Sequence, residues 1–518
     1  MIESLFSLLS DPVLFGIAVG ALSLGILMGA LPGLSGPMAM ALLIGATVGM
    51  PVEHAAVAMA LIYMGGVYGG SQSAILLNIP GAAASAATSL DGYPLASQGR
   101  AGVALASSAA ASMVGSLIGV LFLITLTPLL VDVSLLFGTW EFALLALFGV
   151  IISGSLASGG QPVKGWVAGI LGLILALVGQ DPIQAYPRFT FGSIHLLGGI
   201  AIIPVLVGLF GLSEVAKTMK TRHLESTPIS PKGLAAWPTL RILPRRLPML
   251  GRSGVIGTFI GLIPGVGADI GAWVSYAVTK RLSKHPETFG QGEIDGVLAA
   301  EGSNSAVPPG SIIPVLALGI PGSAAAAIMM AALFLHGLRP GPLFLTENAE
   351  MFNSLAAAML LGSVLVLVIG LVISRVLAQA LRIPRSVLMP VVLALAVIGA
   401  YGSNLRLSDV WIMIVFGVVG YLLRQAGYPL APMVLGVVLG GLLDGNLRRA
   451  FTIDASLWPF VTRPASLVLV SVMLLTVASS IPVVRRAPFR AWRALQRGRR
   501  GDGQPDEAAR PEDVDRVD

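Results

Sequence analysis

The sequence contains no cysteine and little charge. Its 518 residues include five histidines, 11% charged residues and 55% hydrophobic residues. The absence of cysteine excludes disulfides, thiolate metal sites and cysteine nucleophiles, and no two histidines have the spacing of a zinc site. Soluble domains carry about 25% charged residues. A chain this apolar cannot bury its hydrophobic surface in a water-facing globule, so we predict an integral membrane protein.

The apolar runs are long enough to cross a bilayer as helices, which takes about 20 residues each. A membrane barrel would instead show short segments of alternating polarity. We therefore predict an all-α polytopic membrane protein with about 11 to 12 spans and additional broken or re-entrant helices. The N-terminal lead, MIESLFSLLSDPVLFG, is acidic rather than basic, so we expect no cleaved signal peptide.

Each half of the chain contains two breaks in which proline and glycine interrupt an apolar run. The first break reads GALPGLS at 29–35 and GLIPGVG at 261–267, and the second reads LNIPG at 77–81 and LGIPG at 318–322. The polar insert at 283–290 accounts for the longer spacing between the breaks of the second half. We interpret this pattern as an internal duplication.

Basic residues are concentrated between the halves and near the C-terminus. Residues 216–252 carry eight lysines and arginines and one acid, and a run of arginines follows the last apolar segment. Because basic loops favour the cytoplasm, both segments are predicted to be cytoplasmic. Bases flank the broken segment 253–279 on both sides, which predicts a hairpin that enters from the cytoplasm. The acidic N-terminus indicates the opposite entry for the first half, and therefore two inverted repeats.

These patterns divide the chain into five predicted parts. They are membrane repeat 1 at 1–215, a basic cytoplasmic linker at 216–252, membrane repeat 2 at 253–464, a final transmembrane helix at 465–484 and a charged, disordered cytoplasmic tail at 485–518. Within the repeats, the apolar runs predict helices at about 103–130, 141–153, 163–178, 194–211, 355–381, 388–400, 410–423 and 429–443, and the final helix at about 466–481.

Broken helices in duplicated halves indicate a transport site near the middle of the membrane. Helix N-termini offer free amide donors to a carboxylate, and freed carbonyls suit a small cation. Uncharged polar side chains beside the breaks are candidate ligands: Ser35, Ser71, Ser73, Asn78, Ser85, Ser303, Asn304, Ser305, Ser311 and Ser323. Serine is also common where membrane helices pack closely, so each of these serines has a structural alternative.

Acidic residues within membrane segments are candidates for ion coupling. Glu301 and Asp269 lie nearest the breaks, followed by Asp91, Glu141 and Asp295. The alternative is that these carboxylates lie at helix ends in water. We expect no metal centre other than a sodium site, and no cofactor. Neither a phosphate-binding loop nor a nucleophile–base pair stands out, so we predict that the chain is not an enzyme.

Three long stretches resemble the large permease subunit, TctA, of the bacterial tripartite tricarboxylate transporters. They are GALPGLSGPMAMALLIGATVGM, YMGGVYGGSQSAILLNIPGAAASAATSLDGYPLASQGRAG and LAAEGSNSAVPPGSIIPVLALGIPGSAAAAIMMAALFLHGLRPGPLF. The resemblance covers about residues 16–466. By position, it implies functional roles for Pro32, Gly33, Gly36, Asn78, Pro80, Gly81, Glu301, Asn304, Pro321 and Gly322.

The resemblance implies a secondary transporter of the bacterial inner membrane that imports a carboxylate with a sodium or proton gradient. It also implies two protein partners, a small membrane subunit (TctB-like) and a periplasmic substrate-binding protein (TctC-like), and the inverted repeats of the wider ion-transporter superfamily. Alternatives are a gated anion channel, a uniporter without ion coupling, and a membrane enzyme or scaffold. The basic linker is expected to contact lipid headgroups rather than nucleic acid.

Overall fold

The computed structural model describes residues 1–31, 34–157, 161–181, 183–220, 236–265, 267–381 and 385–480. Within these ranges the chain is almost entirely helical, and its sheet is one hairpin that pairs Gly179 with Arg188. Eight described helical segments are long and apolar enough to cross a membrane, and four shorter ones are also apolar. The prediction of an all-α polytopic membrane protein is confirmed. The number of spans and the inversion of the repeats stay predictions.

The first half of the described chain contains ten helices and the hairpin. The elements are α1 (Ile2–Ser10), α2 (Pro12–Ala30), α3 (Gly36–Leu43), α4 (Val52–Leu77), α5 (Ser85–Leu95), α6 (Ala101–Ser134), α7 (Thr139–Leu156), α8 (Pro162–Ala176), β1 (Gly179–Gln180), β2 (Pro187–Arg188), α9 (Ile202–Leu206) and α10 (Ser213–Lys220). A π-helical segment, Val207–Leu212, joins α9 to α10, and another, Ala96–Arg100, joins α5 to α6.

The second half of the described chain contains eleven helices. They are α11 (Ala236–Leu262), α12 (Gly267–Leu282), α13 (Ile294–Leu318), α14 (Ala324–Leu335), α15 (Phe344–Glu347), α16 (Ala349–Ala380), α17 (Arg385–Asn404), α18 (Leu407–Gln425), α19 (Leu430–Ile453), α20 (Pro459–Thr462) and α21 (Pro464–Ser480). Most predicted helices correspond to one of these elements with shifted ends.

Two departures from the predicted segments have a visible cause. The helix expected at 194–211 begins only at Ile202, because Gly199 adopts a positive φ of 82° that no right-handed helix contains, and it continues to Lys220. Part of the expected linker is helical, since α11 begins at Ala236. Leu243 and Leu250, two turns apart on one face of α11, are buried and keep this basic segment in a helix. Residues 221–235 and 481–518 lie outside the described residues.

The two halves have the same packing around their breaks. A side chain on Gly29 of α2 would overlap the Gly66 carbonyl of α4, and one on Gly261 of α11 would contact the Val307 carbonyl of α13. After the second break, a Cβ on Gly81 would overlap the Gly29 carbonyl. The corresponding Cβ on Gly322 would overlap the Gly261 carbonyl, so paired glycines let the backbones approach closely in both halves.

Asp91 of α5 holds the loop that contains the extra residues of the second half. Its Oδ1 accepts hydrogen bonds from the backbone amides of Gly290 and Glu293 at 2.8 Å and of Gly292 at 2.9 Å. Its Oδ2 accepts one from the Tyr276 hydroxyl at 2.9 Å. The Asp91 side chain is fully buried, so this carboxylate has a structural role at the start of α13.

Replacing Asp91 with alanine is expected to destabilise the fold by about 2–4 kcal/mol, because three partly buried amides and a tyrosine hydroxyl lose their acceptor. Hydrogen exchange should show the loss of protection concentrated at 290–293. Asp91→Asn keeps one acceptor oxygen and the side-chain volume, so it should lose much less stability. Equal melting temperatures for Asp91→Ala and the wild type would contradict this role.

Candidate substrate cavity and buried carboxylate

A cavity of about 540 Å³ lies where breaks from both halves meet. The first half contributes residues of α3, α4, α10 and the segment before α5, and the second half contributes residues of α13, α14, α18 and the α11–α12 break. Its polar and backbone lining includes Ser35, Gly36, Tyr63, Pro80, Gly81, Ser85, Glu214, Lys217, Gly265, Asn304, Ser323 and Arg424. The volume is in the usual range of small-molecule sites, about 300–1,000 Å³.

Helices α3 and α14 both begin at the cavity. Ser35 caps α3 by accepting a hydrogen bond from the Met38 amide at 3.4 Å, and Ser323 caps α14 by accepting one from the Ala326 amide at 3.1 Å. The extended backbone of both serines directs the first turns of these helices at the cavity wall. Two helix N-termini thus bring amide groups and partial positive charge to one cavity, which favours an anion.

Tyr63 of α4 connects the two halves inside the cavity. Its hydroxyl lies 3.0 Å from Ser311 Oγ and 2.8 Å from Ser323 Oγ, and the tyrosine is fully buried. The sequence reasoning missed Tyr63. The available signal was a tyrosine in the middle of a membrane segment, far from the interfacial ends where this residue is usually found.

Charged residues stand at one side of the cavity. Glu214 on α10 forms ion pairs with Arg424 of α18 and, at 3.3 Å, with Lys217. These three residues leave an excess of one positive charge. An adjoining cavity of about 600 Å³ shares Lys217 and Arg424 and adds Lys220. The approach to the site is therefore electropositive, and this attracts anions. The sequence reasoning had assigned both lysines to the linker.

Glu301 lies in the middle of α13 with its side chain fully buried. Thr88 Oγ1 donates a hydrogen bond to its Oε1, and Ser108 Oγ and Ser112 Oγ donate to its Oε2 at 3.1 and 3.3 Å. Within the described ranges, no lysine or arginine forms a salt bridge with it. A carboxylate held by hydroxyls alone, without a cation, is costly in a membrane protein and indicates a functional site.

A chain of side chains connects Glu301 with the cavity. Asn304, which lines the cavity one turn along α13, donates from Nδ2 to Ser71 Oγ at 3.4 Å. Ser71 Oγ lies 3.3 Å from the Oγ of Ser85, another lining residue, and the Ser71 hydroxyl also interacts with the Glu301 carboxylate. A change at the carboxylate can therefore reach the cavity through two contacts.

The structure brings only some of the predicted ligands into the cavity. The predicted ligands that line it are Ser35, Pro80, Gly81, Ser85, Asn304 and Ser323. Ser71 lies directly behind the wall, whereas Ser73 donates to the Gly70 carbonyl of its own helix at 3.0 Å. Pro321 and Gly322 form the second break without lining the cavity. Pro32, Gly33 and the side chain of Asp269 lie outside the described residues.

Asn78 is exposed, does not line the cavity and has a conformational role, while its role as a ligand stays a prediction. It ends α4 in the left-handed conformation, with φ of 55°, and Gly319 ends α13 in the same way, with φ of 69°. Glycine and asparagine are the residues that most readily adopt this conformation. The Asn/Gly pair at equivalent positions of the repeat was a sequence signal for a helix cap.

Ser303 and Ser305, predicted to lie beside a break, lie inside a continuous helix. Helix α13 runs from Ile294 to Leu318 through three prolines, and the Ser311 hydroxyl donates at 3.0 Å to the Pro308 carbonyl. The backbone of Ser303 packs against Gly257, and the Ser305 carbonyl accepts a hydrogen bond from Ser116 at 3.0 Å. Of this polar run, Asn304 is the residue that reaches the cavity.

Glu141 is structural. It is 1% exposed, and its carboxylate binds Arg463 at 2.9 Å, Ser466 at 2.6 Å and the Gly138 amide at 2.8 Å. These contacts attach α21 to the start of α7, far along the chain. Both carboxylate oxygens of Glu141 therefore bind groups that hold these two parts of the fold together.

Comparisons with known proteins agree with these features. The model of the family described as "Tripartite tricarboxylate transporter TctA family" matches residues 14–435. A protein of Agrobacterium vitis, described as an uncharacterized 52.8 kDa protein in the TAR-I ttuC' 3' region, is 36% identical over 90% of this chain and 93% of its own length. A second one, from the TAR-II ttuC' 3' region, is 38% identical over 44% of this chain and 96% of its own length. No solved structure matches the chain.

Proposed function

Because the chain belongs to the tripartite tricarboxylate transporter TctA family, we propose that it is the permease that carries an organic acid through the cavity between its two halves. The observation that supports this proposal is the meeting of two helix N-termini with an electropositive approach at one cavity. Such a site binds carboxylates without a permanently buried cation.

The carboxylate groups of the substrate bind the amides at the starts of α3 and α14, and Asn304 and Tyr63 donate further hydrogen bonds. Lys217 and Arg424 attract the anion to the site. Because both are also paired with Glu214, they hold the anion weakly enough to release it. The same lysine begins the basic segment that the sequence predicts to be cytoplasmic, so the cavity opens toward the cytoplasm. Uptake is driven by a sodium or proton gradient acting at Glu301.

The permease works with a small membrane subunit and a periplasmic substrate-binding protein in the bacterial inner membrane. The binding protein delivers the acid to the face opposite Lys217 and Arg424. A gated anion channel would use the same electropositive cavity, but it has no need of a buried carboxylate such as Glu301.

The test is uptake of a panel of radiolabelled carboxylates into proteoliposomes that contain this chain, the small subunit and the binding protein. Accumulation of one acid above its external concentration, dependent on a sodium or proton gradient, is the expected result. Downhill carboxylate flux that depends on neither the sodium nor the proton gradient would favour a channel or uniporter. If the folded, complete complex transports no acid, the proposed substrate class is wrong.

Replacing Asn304 with alanine is expected to weaken uptake about tenfold, because the substrate loses a hydrogen bond to a partly desolvated group. The protein should still insert and fold, since the neighbouring turns of α13 are unchanged. The matched control is Asn446→Ala on α19, whose side chain donates at 2.8 Å to the Leu442 carbonyl of its own helix. If Asn304→Ala takes up the substrate as well as the wild type does, Asn304 does not bind the substrate.

A further inference from the structure

Three other helices place oxygen-bearing side chains at Glu301 or at a hydroxyl that binds it. Thr88 of α5 and Ser108 and Ser112 of α6 contact the carboxylate, and Gln72 of α4 contacts Ser108. All of these side chains are at most 2% exposed. The hydroxyls carry lone pairs as well as protons, so each can turn its oxygen toward a cation. Oxygen ligands of this kind suit hard metal ions.

Gln72 supplies an independent indication of a ligand. Ser108 gives its single hydroxyl proton to Glu301 at 3.1 Å, so it accepts a hydrogen bond from Gln72 Nε2, also at 3.1 Å. This assigns the other amide atom as oxygen. Gln72 Oε1 is buried and has no hydrogen-bond partner among the described residues. A buried acceptor without a donor is destabilising unless something positive binds it.

The charge of the cluster selects a monovalent ion. Glu301 is the acidic residue of the cluster, and a single negative charge balances one positive charge. Divalent ions bind several carboxylates, and the described residues contain no group of three or more metal-ligating acids or histidines. The two carboxylate oxygens, the three hydroxyls and Gln72 Oε1 are six oxygen atoms that the cluster offers to such an ion.

We infer that Glu301, Gln72, Thr88, Ser108 and Ser112 form a binding site for one sodium ion. The inference rests on the proposed transport, in which this ion is the coupling ion. When sodium binds, the hydroxyls turn their lone pairs to it. Ser71, which interacts with Glu301 and with Asn304, passes the rearrangement to the cavity wall. Sodium and carboxylate binding are thereby coupled through a short polar contact chain.

The experiment measures binding of ²²Na⁺ to the purified full-length chain in detergent, without any carboxylate. In the wild type, unlabelled sodium should displace the bound isotope, whereas potassium and choline at equal ionic strength should not. Ser112→Ala removes one oxygen ligand and is expected to weaken binding at least about tenfold. Glu301→Gln removes the charge and should abolish binding.

Ser73→Ala is the matched control, because Ser73 is a buried serine on the same helix as Gln72, and its hydroxyl donates to the Gly70 carbonyl of that helix. This variant should keep wild-type sodium affinity. The inference is overturned if the folded wild type binds no displaceable sodium, if potassium displaces it equally well, or if Glu301→Gln retains wild-type affinity. If the chain binds sodium but the complete complex transports no carboxylate, the ion site stands and the proposed substrate class is wrong.

Discussion

Glu301→Gln is expected to abolish accumulation of the carboxylate, with a loss of about 100-fold or more. The change removes the buried negative charge on which ion coupling depends while keeping the shape of the side chain. The interaction of a buried charge with its partner is worth about 3 kcal/mol or more, which corresponds to at least about 100-fold in affinity. The measurement is gradient-driven uptake into proteoliposomes that contain the complete complex.

The stability of this variant should equal or exceed that of the wild type in the absence of ions. Glutamine keeps one acceptor oxygen for these hydroxyls, and its amide nitrogen donates to a hydroxyl oxygen that turns toward it, so the variant avoids the cost of burying an uncompensated charge. Glu141→Gln is the matched control, since it neutralises a second buried glutamate that serves the scaffold. It should lower the melting temperature but keep uptake per folded protein. If folded Glu301→Gln accumulates the acid normally, Glu301 has no part in coupling.

Gly322→Ala is expected to destabilise the second break and to eliminate uptake. A Cβ at this position would overlap the Gly261 carbonyl and crowd the Ser311 backbone, so the two broken segments must separate. Such overpacking costs about 1–3 kcal/mol or more when the obstacle is backbone. The displacement moves Ser323 and the start of α14, which form one wall of the cavity. Melting temperature and uptake measured on the same preparation report both effects.

Gly441→Ala on α19 is the control for Gly322→Ala. A Cβ at position 441 would have no described atom outside its own helix backbone within 4 Å. An alanine in an open helical position should be neutral or slightly stabilising. Gly81→Ala should reproduce the defect of Gly322→Ala, since its Cβ would overlap the Gly29 carbonyl in the same manner. If Gly81→Ala and Gly322→Ala both keep the stability of the wild type, the broken segments can separate without cost and the prediction is wrong.

The sequence by itself determined the class of the protein and the places where its helices break. Membrane partitioning depends on the summed apolar character of each run, which is a property of composition and needs no knowledge of packing. Proline and glycine interrupt helices through local backbone geometry, so both pairs of breaks were readable. The family resemblance also followed from long contiguous motifs.

The assembly of the site was decided by tertiary structure alone. Thr88 contacts Glu301 from 213 positions away, and Tyr63 contacts Ser311 from 248 positions away. Such contacts depend on which helix faces meet, and close-approach glycines set this in three dimensions. A serine that faces the cavity looks in the sequence like one that binds its own helix, as the contrast between Ser323 and Ser73 shows. Proline and glycine determine locally where the helices break, whereas the long-range packing of helices determines which side chains meet at these breaks.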